Sequence, residues 1–398
     1  MPPTMAGAER WKRDPIRYLM FALIASFFVW YYNFSQSAQR LLPDINPRSV
    51  LQPEPGRLHI VVTGGAGFIG SHAAMVLTQA GHAVTVLDNL SRGNAGALRT
   101  LRDMTPARRF RFLRVDLGER GAVCAALQRV RPRPDLVMHF AAVAYVGESM
   151  RDPLQYYKNV TVNTVNVLDC MAAAGIKQLV YSSTCAVYGN PESLPVTEAT
   201  PPKPINPYGQ SKLMAEEVIR WYARSQPDFK SIILRYFNVY GSDPAGRLGE
   251  YPRPELRAQA RISGACMDAA LGLVPSLTVK GTKHPTKDGT CVRDYIHVMD
   301  LISAHVAGMG RLANPPPLYN IGTGRGVSVK EFVDACKKVT GRNIQVIYQE
   351  EARPGDYAEV WSDVAKINNE LGWRANYTDI EEGLRHAWNW RLEHPDGY

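Results

Sequence analysis

The stretch Thr63-Gly64-Gly65-Ala66-Gly67-Phe68-Ile69-Gly70 constrains this chain more than any other. It follows an apolar, β-branched run, LHIVVTG (58–64), and opens a segment, GFIGSHAAMVLTQAG (67–81), in which Ile69, Ala73, Val76 and Leu77 recur at helical spacing. The spacing G-x-G-x-x-G is met from Gly65, and G-x-x-G-x-x-G from Gly64. Glycines in such a turn let a diphosphate approach the backbone N–H groups of Gly67, Phe68 and Ile69 at a helix start, and Gly70 lets helix and strand pack closely. A second strand, HAVTVLD (82–88), ends in Asp88, 18 residues beyond Gly70, with Asn89 beside it. That carboxylate suits the two ribose hydroxyls of NAD and would repel a 2′-phosphate. Arg92 in DNLSRG is the one feature that keeps NADP open. A glycine-rich turn without a ligand is the plain alternative, and the placement of Asp88 counts against it.

Strand and helix signals continue to alternate: FRFLRVD (110–116), a helix near 119–130, DLVMHFAA (135–142), a long helix near 153–174, QLVYSST (178–184), a helix from Tyr208 to about Ser225, and SIILRYF (231–237). Nearly continuous apolar strands between amphipathic helices predict an α/β chain: a Rossmann-like doubly wound parallel sheet covered on both faces. Beyond 240 the pattern weakens. The expected division is an NAD-binding domain over 57–240 and a smaller α+β substrate lobe over 241–398. Asp116 and Leu117, after the third strand, are placed for the adenine. Phe140, Ala141 and Ala142, after the fourth, provide small residues where backbone passes close to a cofactor.

The first 56 residues differ. A basic, polar start (1–17) precedes YLMFALIASFFVWYYNF (18–34), an uncharged run just long enough to cross a bilayer. Trp30, Tyr31 and Tyr32 suit a membrane interface, and the basic residues precede the run, which puts the N-terminus in the cytoplasm and the rest across the membrane. A cleaved signal peptide is disfavoured because no good small-x-small site follows. Pro43, Pro47, Pro53, Pro55 and Gly56 make 35–56 read as a stem linker. The six cysteines show neither C-x-x-C nor zinc spacing, so no metal site is expected, and their apolar surroundings read as buried free thiols. Of the three N-x-S/T sequons, at Asn33, Asn159 and Asn376, only Asn376 suits a glycan. The hydrophobic fraction of 45% and charged fraction of 21% support a real core. The net charge of +9 and the arginine-rich stretch from Arg92 to Arg133 read as a basic surface suited to an anionic substrate, with no nucleic acid as partner.

The chemistry points to NPYGQSK (206–212), the only Tyr-x-x-x-Lys in the chain. One helical turn puts Tyr208 and Lys212 on the same face. A phenol is a weak base at neutral pH, and a neighbouring ammonium together with the positive nicotinamide of NAD would lower its pKa. Thr184, at the end of the fifth strand, is placed to share the hydrogen bond to a substrate hydroxyl. Such a group can take a proton from a secondary alcohol while hydride leaves its carbon.

TGGAGFIG, DNLSRG, HFAAVAYVGES, YSSTCAVYG, NPYGQSK, RYFNVYG, GTCVRDYIHV and RPGDY, in this order, resemble the nucleotide-sugar 4-epimerases among the extended short-chain dehydrogenase/reductases. The resemblance covers 57–398. PRPELRAQARISGACMDAA (252–270), the terminal HPDGY and the N-terminal run are most similar to the Golgi members of plants that interconvert UDP-xylose and UDP-arabinose. It implies NAD as cofactor, a UDP-sugar as substrate, precursors of cell-wall polysaccharides as products, a homodimer, and a single-pass Golgi membrane protein with a lumenal catalytic portion. It makes Tyr208 the proton acceptor, Lys212 its partner and Thr184 the assisting hydroxyl. Asn159 and Tyr236 would line the nicotinamide pocket. Asn238, Arg293, Arg353 and Asp356 would hold the UDP, and Val360 would border the sugar, a small residue there admitting hexoses. The chain departs from the galactose-type pattern in two places. Ala144 replaces a lysine near the cofactor diphosphate, and RAQARISGA replaces an Asn-Asn-Leu substrate loop, leaving Arg261 as the candidate there for a uracil contact. Cys185 and Ala186 stand where related dehydratases carry an extra acid, which favours epimerisation over elimination. A UDP-glucose/UDP-galactose epimerase, a nucleotide-sugar dehydrogenase and a non-catalytic NAD-binding scaffold remain the other readings.

Overall fold

The computed structural model describes residues 43–259 and 261–398, and Asp44–Tyr398 form one compact unit. The expected tail (1–17), the expected membrane segment (18–34) and residues 35–42 of the expected stem lie outside the described residues. Among the described residues no helix is long and apolar enough to cross a membrane.

Six strands, β1 (His59–Thr63), β2 (Ala83–Asp88), β3 (Phe110–Arg114), β4 (Leu136–His139), β5 (Gln178–Thr184) and β6 (Lys230–Tyr236), form a parallel sheet with a seventh, Leu318–Ile321. Across the sheet the order is Leu318–Ile321, β6, β5, β4, β1, β2, β3. Every residue of β1, HIVVT, and of β2, AVTVLD, is buried. Helices cover both faces of a parallel sheet, so a strand in it is apolar throughout rather than on alternate residues. The helices include α1 (Phe68–Gln79), α2 (Ala95–Met104), α3 (Arg120–Arg129), α4 (Asn163–Ala174) and α5 (Pro207–Ser225). The chain runs outward from β1 to β3, then returns to β4 on the other side of β1. The reversal opens a crevice at the carboxyl ends of β1 and β4, where ligands of such sheets bind.

Residues expected as a separate lobe return to this sheet: strand Leu318–Ile321 pairs with β6, and helix Val298–Met309 packs against α1. The other C-terminal helices, among them α6 (Ile262–Ala270), build a second apolar core around Cys266, Phe332, Leu384 and Trp388.

Two expectations need correction. Residues 44–56, read as linker from their prolines, pack against the sheet. Ile45 exchanges backbone hydrogen bonds with Phe112 at 3.0 Å each way, and Leu51 is buried. Two apolar anchors between the prolines suffice to cover the edge strand β3, whose open hydrogen-bonding groups would otherwise stay bare. The cysteines are not all free thiols. Cys124 on α3 and Cys170 on α4 form a disulfide, because the two helices lie side by side on one face of the sheet. Cys185, Cys266, Cys291 and Cys336 are buried and free.

Candidate active site

The crevice is lined at one end by the glycine turn. Gly64 has φ +72°, and a Cβ there would lie 2.7 Å from the Cα of Ala141. A Cβ on Gly70 would collide with the carbonyl oxygen of Gly64. These two positions admit only glycine without backbone movement. α1 starts after Gly67 with no side-chain cap, and the amides of Phe68, Ile69 and Gly70 make no backbone hydrogen bond among the described residues. Open amides at the positive end of a helix dipole bind an anion. At the tip of β2 the Asp88 carboxylate accepts from the amides of Ala66 at 3.0 Å and Leu90 at 2.8 Å. Burial raises its pKa, and the two amides offset only part of that rise. Each oxygen keeps lone pairs for a ribose hydroxyl. Arg92, the feature that kept NADP open, is paired with Glu148 at 2.5 Å. A cradle shaped by glycines, open amides and a ribose-ready carboxylate fit a dinucleotide such as NAD.

Gly64, Gly67, Phe68, Ile69, Gly70, Asp88, Asn89, Leu117, Phe140, Ala141, Ala142, Asn159, Tyr208 and Tyr236 all line one cavity. Asp116 does not. Its carboxylate accepts from Asn89 Nδ2 at 2.9 Å and from the Gly118 amide at 2.8 Å, and so shapes the loop rather than the cavity wall. Asn159 sits on a π-helical stretch, Tyr157–Val162, just before α4, and its Oδ1 accepts from the Val143 amide at 2.7 Å. A π turn often re-aims a side chain at a functional site.

The chemistry end is set by α5. Asn206 caps it, accepting from the Gly209 amide at 2.8 Å, and Pro207 occupies its first position. Tyr208 and Lys212 are both buried. Thr184 stands close enough to the Tyr208 phenol to lower its pKa, and Thr184 Oγ1 accepts from the Ala186 amide at 3.1 Å. Lys212 Nζ donates to the Ser182 carbonyl at 2.7 Å and lies 4.9 Å from the Tyr181 ring centroid. The expected lowering of the phenol by this ammonium is absent. Burial and then the Tyr236 phenol raise the pKa of Tyr208, and burial pushes Lys212 down to about 7. Among protein groups alone, desolvation outweighs charge attraction for both members of the pair.

Sequence reasoning missed Glu216, one further turn along the same face. It is buried, accepts from Arg235 Nε at 2.9 Å and Nη2 at 2.6 Å, and from Ser183 Oγ at 2.5 Å. It is the one neighbour that raises the Lys212 pKa. The signal was present as the continued four-residue spacing Tyr208, Lys212, Glu216. The expected UDP residues fall outside the cavity. Arg293 donates to the carbonyls of Val292, Tyr357 and Ala358 and stacks 4.1 Å from the centroid of the Tyr357 ring, so it braces the 357–358 loop. Asp356 closes a turn onto Arg353, its amide 3.1 Å from that carbonyl. The amide of Asn238 donates to the Asp294 carbonyl at 2.9 Å. Val360 is fully buried in the apolar cluster that contains Tyr208, Cys185 and Tyr357. Arg261 does enter the cavity, but over Phe68, 5.6 Å from its ring centroid.

Residues 60–322 match the model of the NAD dependent epimerase/dehydratase family. A relative from Oryza sativa subsp. japonica named "Probable UDP-arabinose 4-epimerase 3" is 57% identical over 87% of this chain and 85% of its own length. "UDP-arabinose 4-epimerase 1" of Arabidopsis thaliana is 54% identical over 89% of this chain and 85% of its own. Among solved structures, a UDP-glucose-4-epimerase from Stenotrophomonas maltophila with bound NAD and formylated UDP-arabinopyranose is 35% identical, with a TM-score of 0.78 over 85% of this chain and 99% of its own. With a family model matched over most of its length and relatives of more than 50% identity, this chain belongs to the NAD dependent epimerase/dehydratase family.

Proposed function

We propose that this chain is an isomerase that inverts C4 of a UDP-sugar, converting UDP-xylose to UDP-arabinose with NAD retained and unchanged over the cycle. The observation that carries this is the placement of Tyr208. It lines the dinucleotide cavity beside Thr184, with Lys212 one turn further along the same buried helix face. Tyr208 takes the proton of the C4 hydroxyl, Thr184 holds the same oxygen, and Lys212, steadied by Glu216, balances the charge that develops on the phenol. Bound NAD supplies the hydride acceptor and donor. The 4-keto sugar then turns in the site, takes hydride back at C4 on its other face, and recovers its proton from Tyr208 on O4. The next residues along the chain offer no competing acid. Ala186 has no proton to give, and burial pushes the Cys185 thiol up to about 11, too weak an acid to expel water. The choice of the pentose rests on the named relatives. Asn238, Arg293, Arg353 and Asp356 are proposed to hold the UDP once it is bound, with residues 57–240 supplying most of the cofactor site and 241–398 most of the substrate site. The products would feed cell-wall polysaccharides.

The same reading includes a type II Golgi protein anchored through 18–34, and a homodimer. Support for the dimer is an exposed apolar set on adjacent elements: Leu154, Val162 and Val165 beside and on α4, with Met214 and Trp221 on α5. The enzymatic test supplies the full chain with UDP-xylose and no added NAD. UDP-arabinose should form, and Tyr208→Phe should lower turnover roughly 10²- to 10⁴-fold while NAD stays bound. Turnover that tracks added NAD and accumulates NADH would mean a dehydrogenase instead.

A further inference from the structure

Two cations line the cavity, Arg92 and Arg261. Arg92 is taken up by Glu148. Arg261 comes from the C-terminal segments, at the start of α6. Its guanidinium hangs 5.6 Å from the ring centroid of Phe68, the first residue of α1. Glu250 holds Arg261 Nη1 at 2.7 Å and is itself fixed by Ser263 Oγ at 2.9 Å. No other acceptor among the described residues takes the remaining donors of Arg261. An oriented guanidinium with spare N–H groups therefore lines the same cavity as the open amides of Phe68, Ile69 and Gly70, over the Phe68 ring.

We propose that Arg261 is a cofactor clamp: a positioning residue that reaches from the C-terminal segments to bind the diphosphate of the dinucleotide seated on the start of α1. The proposal rests on the reading of a retained NAD given above. A planar guanidinium offers two parallel N–H donors, which match a diphosphate better than an ammonium does. Glu250 aims it without consuming those donors. Retention has a chemical purpose here. A reaction that returns its hydride to the same substrate fails whenever the cofactor leaves between the two transfers. A clamp lent by Arg261 couples cofactor retention to the placement of the segment that lines the cavity through Tyr251, Pro252 and Leu256. Its charge also reaches the chemistry end, where it pulls down the phenols of Tyr145, Tyr208 and Tyr236 against their burial.

The test is the NAD content of purified full-length protein, read after denaturation. Wild type should carry NAD. Arg261→Ala should lose most of it, bind added NAD roughly 10-fold or more weakly, as expected for a lost charge-assisted hydrogen bond, and recover turnover at saturating NAD. Arg261→Lys, with charge but no fork, should fall between the two. Arg261→Gln removes the charge while keeping a polar side chain of intermediate length, and should lose NAD like the alanine variant. It answers the question even where Arg261→Ala does not fold. Variants that keep wild-type NAD content overturn the clamp. So does a changed pH–rate profile, or a higher half-saturating UDP-sugar concentration, with NAD fully retained. The first would place Arg261 on Tyr208 and the second on the substrate. Wild type that purifies without NAD would instead sink the retained-cofactor reading itself.

Discussion

At the scale of single residues, Lys212 is the group whose environment matters most for measurement. Burial pushes it down to about 7, with Glu216 pulling it up. In the unfolded chain a lysine titrates near 10.4. The unfolded state therefore binds the extra proton throughout the window from about 7 to about 10, and the folded state does not. Stability must rise with pH across that window by the contribution of this group, and be lowest on its acidic side. In NAD-free protein, the stability of wild type relative to Lys212→Met should increase between about pH 7.5 and about pH 9.5 in chemical denaturation. Taking the difference between the two proteins removes the opposing titration of Cys185, which both share. Parallel curves would show that Lys212 is not desolvated. The Tyr208–Lys212 spacing was legible in the sequence. Glu216 continues the same four-residue spacing, but Glu217 stands next to it, and only the packed helix shows which carboxylate holds Arg235.

At the scale of elements, the glycine turn and the strand ends behaved as local sequence required. A β-branched run, an open turn and an uncapped helix carry their own instructions. The surprises came from pairs of elements. α3 and α4 are far apart in sequence, at a separation of 46 between Cys124 and Cys170, and nothing in either helix announces its neighbour. Their disulfide fits an oxidising compartment, the environment of the proposed lumenal location. Thiol alkylation of denatured, unreduced protein from a eukaryotic host should label only the four free cysteines. Labelling of all six cysteines in the chain would place this portion in a reducing compartment and reverse the proposed topology. The 44–56 segment belongs to the same lesson. Its prolines argued for a linker, while Ile45 and Leu51 found an edge strand that the local sequence could not show.

At the scale of the whole molecule, Trp221 is 64% exposed and Val162 49% exposed on elements that pack against each other. An apolar set of this kind is the surface the proposed homodimer would cover. Trp221→Glu should weaken self-association, on the order of 2 kcal/mol for a buried interface tryptophan or roughly 30-fold in the dissociation constant. Sedimentation at several concentrations checks it, and a wild type that stays monomeric throughout would end the proposal. The sequence by itself determined the sheet class, the nucleotide turn and the Tyr–Lys pair, because each is encoded within a few residues by periodicity, glycine and helical spacing. Only the tertiary structure decided the partner of Lys212, the Cys124–Cys170 pairing, the return of Leu318–Ile321 to the sheet and the entry of Arg261 into the cofactor cavity. Those depend on which distant segments share a face, and burial, rather than local spacing, chooses them.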